Sequence, residues 1–349
     1  SLKEREMADY LKKLFGEIGV EMEEDNSQNI TGSNAGNLFA RLDGEIGSTP
    51  LLLGVHMDTV EPSRGKKAVF HPDGTVTSDG TTVLGADDLA GVTAIYEAVR
   101  YLKEQNIPHR TIEILITTGE ELYCKGANAF DYSKIQSKEA YVLDLSGKIG
   151  AAAYAAPTLI SFEASVQGKA AHAGFYPENG INSIQAAARA IARLFQGRID
   201  ENTTANIGLF SGGTGTNIVP ETCTAAGEIR SLDHEKAMKI LSEYHQVFQE
   251  EAEKSGADLK WEEKLNIIAY ETSLNGKTAG NYRKAVEKAG LPTKYEKTFG
   301  GSDNNVFARH GIEGLVIATS MNQVHSCCEY CSIPEIRQVS EILVNLCEI

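Results

Sequence analysis

The chain has 349 residues, more than one ordinary hydrophobic core accommodates, so two domains are expected. Its 42% hydrophobic and 23% charged composition is that of a soluble globular protein, and 48 acidic residues against 33 basic ones give a formal net charge of −15. That balance disfavours nucleic acid and anionic membrane as partners, because phosphate binding needs a basic footprint.

No apolar run reaches the roughly 18 residues that would span a membrane. The charged start, Ser1-Leu2-Lys3-Glu4-Arg5-Glu6, lacks the apolar core of a signal peptide. It opens on Ser rather than Met, consistent with an absent leading segment or a removed tag. Six cysteines (Cys124, Cys223, Cys327, Cys328, Cys331 and Cys347) do not read as a disulfide framework in a chain this long. A reducing cytoplasm is the simplest compartment.

In chain order, Met7, Leu11, Leu14, Phe15 and Ile18 recur at helical spacing and predict a helix over 2–18, stopped by Gly19. Strands follow at Leu38–Leu42 and Leu51–Val55, then a helix at Leu89–Leu102. A strand at Thr111–Thr117, a short helix at Ala127–Tyr132 and a strand at Tyr141–Leu145 come next. The nearly unbroken apolar runs at Val55 and Ile114–Ile116 suit strands buried on both faces. An α/β sheet covered by helices on both sides is expected.

The pattern changes near residue 157. Ile160–Gln167 alternates, and a helix at Ile181–Phe195, strands at Thr204–Phe210 and Thr222–Ser231, a helix at Glu235–Lys254 and a strand at Leu259–Glu262 complete a β-α-β-β-α-β order. That is a ferredoxin-like unit able to close its own core. The α/β pattern then resumes with a helix at Gly280–Ala289, a strand at Gly314–Ala318 and a helix at Ile333–Cys347. The expected organisation is a discontinuous larger domain, 1–157 and 267–349, interrupted by a smaller one, 158–266.

The residues with chemical potential share a position. His56 and Asp58 end one predicted strand, Glu120 and Glu121 follow another, Asp144 ends a third, and His325 comes shortly after a fourth. Asp87 opens a helix. The carboxyl ends of strands are where open α/β sheets place ligand sites. Imidazole plus carboxylate is the ligand set of Zn²⁺, Mn²⁺ and Co²⁺. Two ions roughly 3.5–4 Å apart need a bridging carboxylate. Asp87 suits the bridge, with His56 and Asp144 completing one ion, and Glu121 and His325 the other. Of adjacent Glu120 and Glu121, one would bind metal and the other move a proton. Asp58, two residues beyond His56, could orient that imidazole.

Each piece alone has a plainer reading. A His-x-Asp pair is common, a Glu-Glu pair usually opens a solvated helix, and Asp144 could be a helix cap. Their combination at successive strand ends favours the metal site.

The segments Gly54-Val55-His56-Met57-Asp58-Thr59, Gly85-Ala86-Asp87-Asp88-Leu89-Ala90-Gly91, Thr118-Gly119-Glu120-Glu121 and Val142-Leu143-Asp144 resemble those of the dinuclear zinc exopeptidases of the peptidase T, carboxypeptidase G and aminoacylase group. The peptidase T-like branch is nearest, and the resemblance covers almost the whole chain. It implies a phosphorylase/hydrolase-like mixed sheet with an inserted lid and dimerisation domain. It also implies two divalent ions, zinc first, on His56, Asp87, Glu121, Asp144 and His325, with Glu120 as the base. Further implications are a cis Asp87–Asp88 peptide and a homodimer formed through the lid.

On the lid, Gly168-Lys169-Ala170-Ala171-His172-Ala173-Gly174 resembles the family's lid motif, which makes His172 an oxyanion stabiliser. Asn217 and Arg230 match substrate-binding positions, Arg230 as a carboxylate fork. Gly301 and Ser302, in Gly300-Gly301-Ser302-Asp303, match the loop bordering the substrate pocket. Cys328-x-x-Cys331 lacks a second pair and does not make a zinc knuckle. Gly212–Thr216 lacks the Lys and the following helix of a phosphate loop.

The expected activity is release of the N-terminal residue from tripeptides or other short peptides. An N-acyl amino acid amidohydrolase on the same scaffold would share every ligand and differ in how the pocket holds the substrate's end. An inactive peptide-binding relative would have lost a ligand or Glu120, and none is missing.

Overall fold

The computed structural model describes residues 1–349, the side chain of Ser48 excepted. The chain divides into two compact units, Ser1–Ala155 with Glu271–Ile349, and Ala156–Tyr270.

The first unit is built on a nine-stranded mixed sheet. Its four central strands, Arg110–Thr117, Ile46–His56, Glu139–Leu145 and Glu313–Ala318, lie side by side and all run parallel. Register sets His56 opposite Thr117 and Ala318 opposite Leu145, so the carboxyl ends of the four strands meet along one edge. Leu38–Leu42 flanks them antiparallel on one side and Ala151–Ala156 on the other.

Both faces of these strands are covered, which is why their sequences are apolar without alternation. Leu51, Leu53 and Val55 share one core with Ile95, Val99 and Leu102 of the helix Ala86–Glu104 and Leu343 and Leu346 of the helix Ile333–Cys347. Phe15 and Tyr282, from the helices Arg5–Glu17 and Lys277–Lys288, join them. On the opposite face lies the helix Asp303–Arg309. Its Phe307 ring sits so close to Gly54 that a Cβ there would come within 2.8 Å of it, so the strand needs glycine at this crossing.

The amino ends of the strands carry charge of another kind. Arg110 and Glu139, the starts of the two strands that flank Ile46–His56, pair at 2.9 Å, and Arg110 is fully buried. The guanidinium also donates to the carbonyls of Thr49 and Pro50, and the carboxylate accepts from Asn281 and Tyr141. Every charge is paired and hydrogen-bonded, which makes its burial tolerable.

The second unit is a five-stranded antiparallel sheet. From one edge the strands are Gly197–Asp200, Thr203–Gly212, Thr222–Ser231, Thr158–Gln167 and Asp258–Ile267. The helices Ser183–Arg193 and His234–Ser255 pack on it through Ala186, Ala187, Ala190, Leu241, Tyr244 and Phe248. This is the ferredoxin-like order expected from the alternation, with the Gly197–Asp200 edge strand added. Among the described residues, no helix is long and apolar enough to cross a membrane, and all six cysteines are free.

Candidate metal centre

The strand Ile46–His56 delivers His56 at its last residue, buried to 1% exposure. The next strand, Arg110–Thr117, ends four residues before Glu121, and Asp144 is the penultimate residue of Glu139–Leu145. Parallel alignment therefore turns residues scattered over some ninety positions into neighbours.

Asp87 is the hub. Its Oδ1 lies 3.1 Å from His56 Nε2 and its Oδ2 3.2 Å from His325 Nε2, so each oxygen faces a different imidazole. Glu121 lies 3.1 Å from the same His325 nitrogen. His56, Glu120 and Asp144 form a second cluster whose ligating atoms all lie within 4.8 Å of one another. The structure thus brings together the five residues selected as ligands.

Asp87 does not sit in regular helix. The helix Ala86–Glu104 is interrupted at Asp87 and Asp88 by non-helical dihedral angles, and the peptide between them is cis, as the resemblance implies. Asp88, fully buried, accepts a hydrogen bond from His56 N at 3.2 Å.

Asp58 makes the contact with His56 that an orienting residue needs, and others beside it. His56 Nδ1 lies 3.1 Å from the Asp58 carbonyl and 3.4 Å from its Oδ1. The same carboxylate accepts from the backbone N–H groups of Glu120 at 2.9 Å and Glu121 at 3.3 Å. One acid therefore ties the histidine strand to the Glu-Glu turn.

The electrostatics are those of crowded acids. Among the described residues, Asp87, Glu120, Glu121 and Asp144 have no lysine or arginine partner; the ion pairs formed here are with His56 and His325. Burial, reinforced by Asp87, pushes the Asp144 carboxyl well above its ordinary range, and burial with Asp144 does the same to Glu120. His325, hydrogen-bonded to Asp87 and Glu121, is raised to about 10. Burial opposes protonation of His56, but Asp58 and Asp87 outweigh it and raise that ring too. Two imidazoles among four carboxylates, with one carboxylate set between both rings, fit a pair of divalent cations. Such ions displace protons of this kind on binding.

Sequence reasoning missed Glu329. It is 1% exposed, and its two oxygens accept from Gly85 N at 2.6 Å and Asp87 N at 2.9 Å, fixing the segment that presents Asp87. It lies four residues past His325 in a cysteine-rich irregular stretch, where no periodicity marks it.

The Gly300–Asp303 segment resolves into two parts. Gly301 is an exposed loop residue. Ser302 is buried and caps the helix Asp303–Arg309 in a capping box with Asn305, its hydroxyl accepting from Asn304 N.

In the second unit, His172 and Asn217 lie on one exposed two-stranded ribbon, in which His172 is registered with Ile218 and Ala173 N donates to the Asn217 carbonyl at 3.0 Å. Gly174 N and Phe175 N donate to His172 Nδ1 at 3.1 and 3.2 Å. Nδ1 is thereby the acceptor, and the neutral ring carries its proton on Nε2. Arg230 lies elsewhere. It is registered with Leu159, whereas Thr222, the other end of its strand, is registered with Gln167 near the ribbon. At about 3.4 Å per residue that is roughly 27 Å along the strand. Its guanidinium forks onto Glu228, with Nε 2.8 Å from one oxygen and Nη2 3.1 Å from the other.

Comparison with known proteins agrees with this picture. Residues 154–256 match the Peptidase dimerisation domain and residues 37–193 match Peptidase family M28. An uncharacterised Bacillus subtilis protein, YqjE, is 41% identical over 345 residues, 99% of this chain and 93% of that one. The crystal structure of the aminopeptidase PepT from Bacillus cereus superposes with a TM-score of 0.93 at 40% identity, covering 99% of this chain and 93% of that one. A tripeptidase structure from Staphylococcus aureus gives 0.96 at 31% identity, covering 100% and 93%.

Proposed function

Because this chain belongs to the peptidase T-like branch of the M20 metallopeptidases, we propose that it is a dinuclear aminopeptidase that releases the N-terminal residue of tripeptides and other short peptides. The observation that carries the two-metal reading is Asp87, whose two oxygens face His56 and His325 separately.

In this reading His56 and Asp144 would hold one ion, Glu121 and His325 the other, with Asp87 shared between them. Zinc suits the imidazole and carboxylate donors, with manganese and cobalt the alternatives. When bound, the pair polarises the scissile carbonyl and acidifies a water. Glu120 takes that water's proton and passes it to the leaving amine. Asp58 holds the His56 ring and the Glu120–Glu121 turn in register. By the family resemblance, His172 would serve as an oxyanion donor and Asn217 as a peptide contact. Gly301 and Ser302 border the pocket, Ser302 through its place at the helix cap. Arg230, the candidate carboxylate fork, is paired with Glu228.

The inserted unit, which carries the dimerisation-domain match, would join two copies. The six free cysteines suit the cytoplasm.

A panel of tripeptides, dipeptides and N-acyl amino acids, each assayed with Zn²⁺, Mn²⁺ and Co²⁺, tests the substrate. Tripeptides with a free amino terminus should turn over fastest; preferential hydrolysis of N-acyl amino acids would overturn the aminopeptidase reading.

A further inference from the structure

A general base has to be held still, and a glutamate side chain has three rotatable bonds with which to wander. Glu121 is fixed against His325. Glu120 has no ion-pair partner, and the one hydrogen bond its carboxylate accepts among the described residues comes from the thiol of Cys124, with Sγ 3.4 Å from Oε1. A sulfur donor at this distance lies within ordinary reach for a thiol and is weak.

The backbone around this contact is strained. Tyr123 and Cys124 have φ of 68° and 55°, two adjacent non-glycine residues in the left-handed region that L side chains avoid. The turn is closed by hydrogen bonds from Cys124 N to Glu120 O at 2.7 Å, Lys125 N to Gly119 O at 3.0 Å and Gly126 N to Thr118 O at 2.8 Å. Such conformations persist where the surroundings over-determine them. Here the turn brings the Cys124 side chain, 1% exposed, under the Glu120 carboxylate. Behind it stands Asp303, also 1% exposed, whose Oδ2 accepts from Thr117 Oγ1 at 2.5 Å and whose carboxylate is a second acceptor near the Cys124 thiol. Ligating atoms of Glu120, Cys124 and Asp303 all lie within 4.8 Å of one another.

We infer that Cys124 is a positioning residue for the reaction: its S–H donates to Glu120 Oε1 and fixes the carboxylate in the rotamer that serves as base. The inference rests on Glu120 being the base. It assigns to Cys124 no contact with substrate or metal.

The test is a mutant cycle on trialanine hydrolysis by the metal-loaded enzyme, with Cys124→Ala, Glu120→Ala, the double variant and Cys124→Ser. Cys124→Ala should lower kcat about tenfold through misplacement of the base, leaving KM and metal content near wild type. Cys124→Ser, which restores a donor, should recover most of kcat. In the Glu120→Ala background, Cys124→Ala should cost nothing more. Wild-type kcat for Cys124→Ala would overturn the inference while leaving Glu120 as base. So would an equal loss in the Glu120→Ala background, or a loss that serine cannot repair. Full activity of Glu120→Ala alone would instead overturn the reading of the site. Circular dichroism and thermal melts on all variants separate misfolding from mispositioning; loss of fold in Cys124→Ala and not in Cys124→Ser would assign the thiol to stability and refute the inference.

Discussion

The two ends of the central sheet bury charge in opposite ways. At the amino ends, Glu139 has Arg110, Asn281 and Tyr141, and Glu113 has Arg41 and the N–H groups of Gln136 and Ser137. Burial alone would raise the Glu139 carboxyl, but the hydrogen bonds from Arg110 and Asn281 outweigh it and hold the carboxyl below its ordinary value. At the carboxyl ends, Asp144 and Glu120 are pushed upward because burial is compounded by other acids. The amino end carries its own counter-charges and is a structural device. The carboxyl end has no lysine or arginine among the described residues and sets only His56 and His325 against its acids, a balance that bound cations would complete.

Removing the bridge should break this contrast most severely. Asp87→Asn takes a charge from the hub and should cost roughly 10³-fold or more in turnover, since the bound ions supply several kcal/mol to the barrier. Metal content by atomic absorption should fall with it; full occupancy and activity would show that Asp87 is not shared.

At the other end, Arg110→Met leaves Glu139 buried without its partner and should destabilise the fold by about 3–5 kcal/mol. Metal content per folded molecule should not change. Because the Glu139 carboxyl is held below its ordinary value of 4.5, its contribution to stability is full above that pH and fades as pH falls below it. The difference in Tm between wild type and Glu139→Gln should therefore narrow in acid. A gap that widens there would contradict the assignment.

His172→Ala sharpens the contrast between buried and exposed chemistry. It should lower kcat by about 10²–10³-fold, as loss of an oxyanion donor does, with metal content intact. Unchanged kinetics would remove the lid ribbon from the mechanism. The smallest effect is expected of Glu329→Ala. It deletes the acceptor of Gly85 N and Asp87 N, and metal affinity should weaken by about 10–100-fold. Titration with a chelator would register this even where saturating metal restores activity.

Much of this was legible from residue order. The apolar runs at Val55 and Ile114–Ile116 marked doubly covered strands, and the alternation of Ile160–Gln167 marked the change of domain. His56, Glu120, Glu121 and Asp144 stood out by falling at strand ends. Glu329 and Cys124 did not, because both act from irregular segments where neither period two nor period 3.6 operates. Ser302 was noted for its motif, but its commitment to a helix cap appears only once the helix Asp303–Arg309 exists.

The sequence by itself determined the strands, the helices and the ligand types, since these follow from local periodicity and the chemistry of single side chains. Tertiary structure alone decided which oxygen of Asp87 faces which histidine, that Asp58 ties His56 to the Glu120–Glu121 turn, and that Arg230 is engaged with Glu228. It also revealed that, among the described residues, the one hydrogen bond to the Glu120 carboxylate comes from a thiol. Pairing across the sheet is set by parallel register and helix docking between residues far apart in the chain, and no local pattern encodes a distance between them.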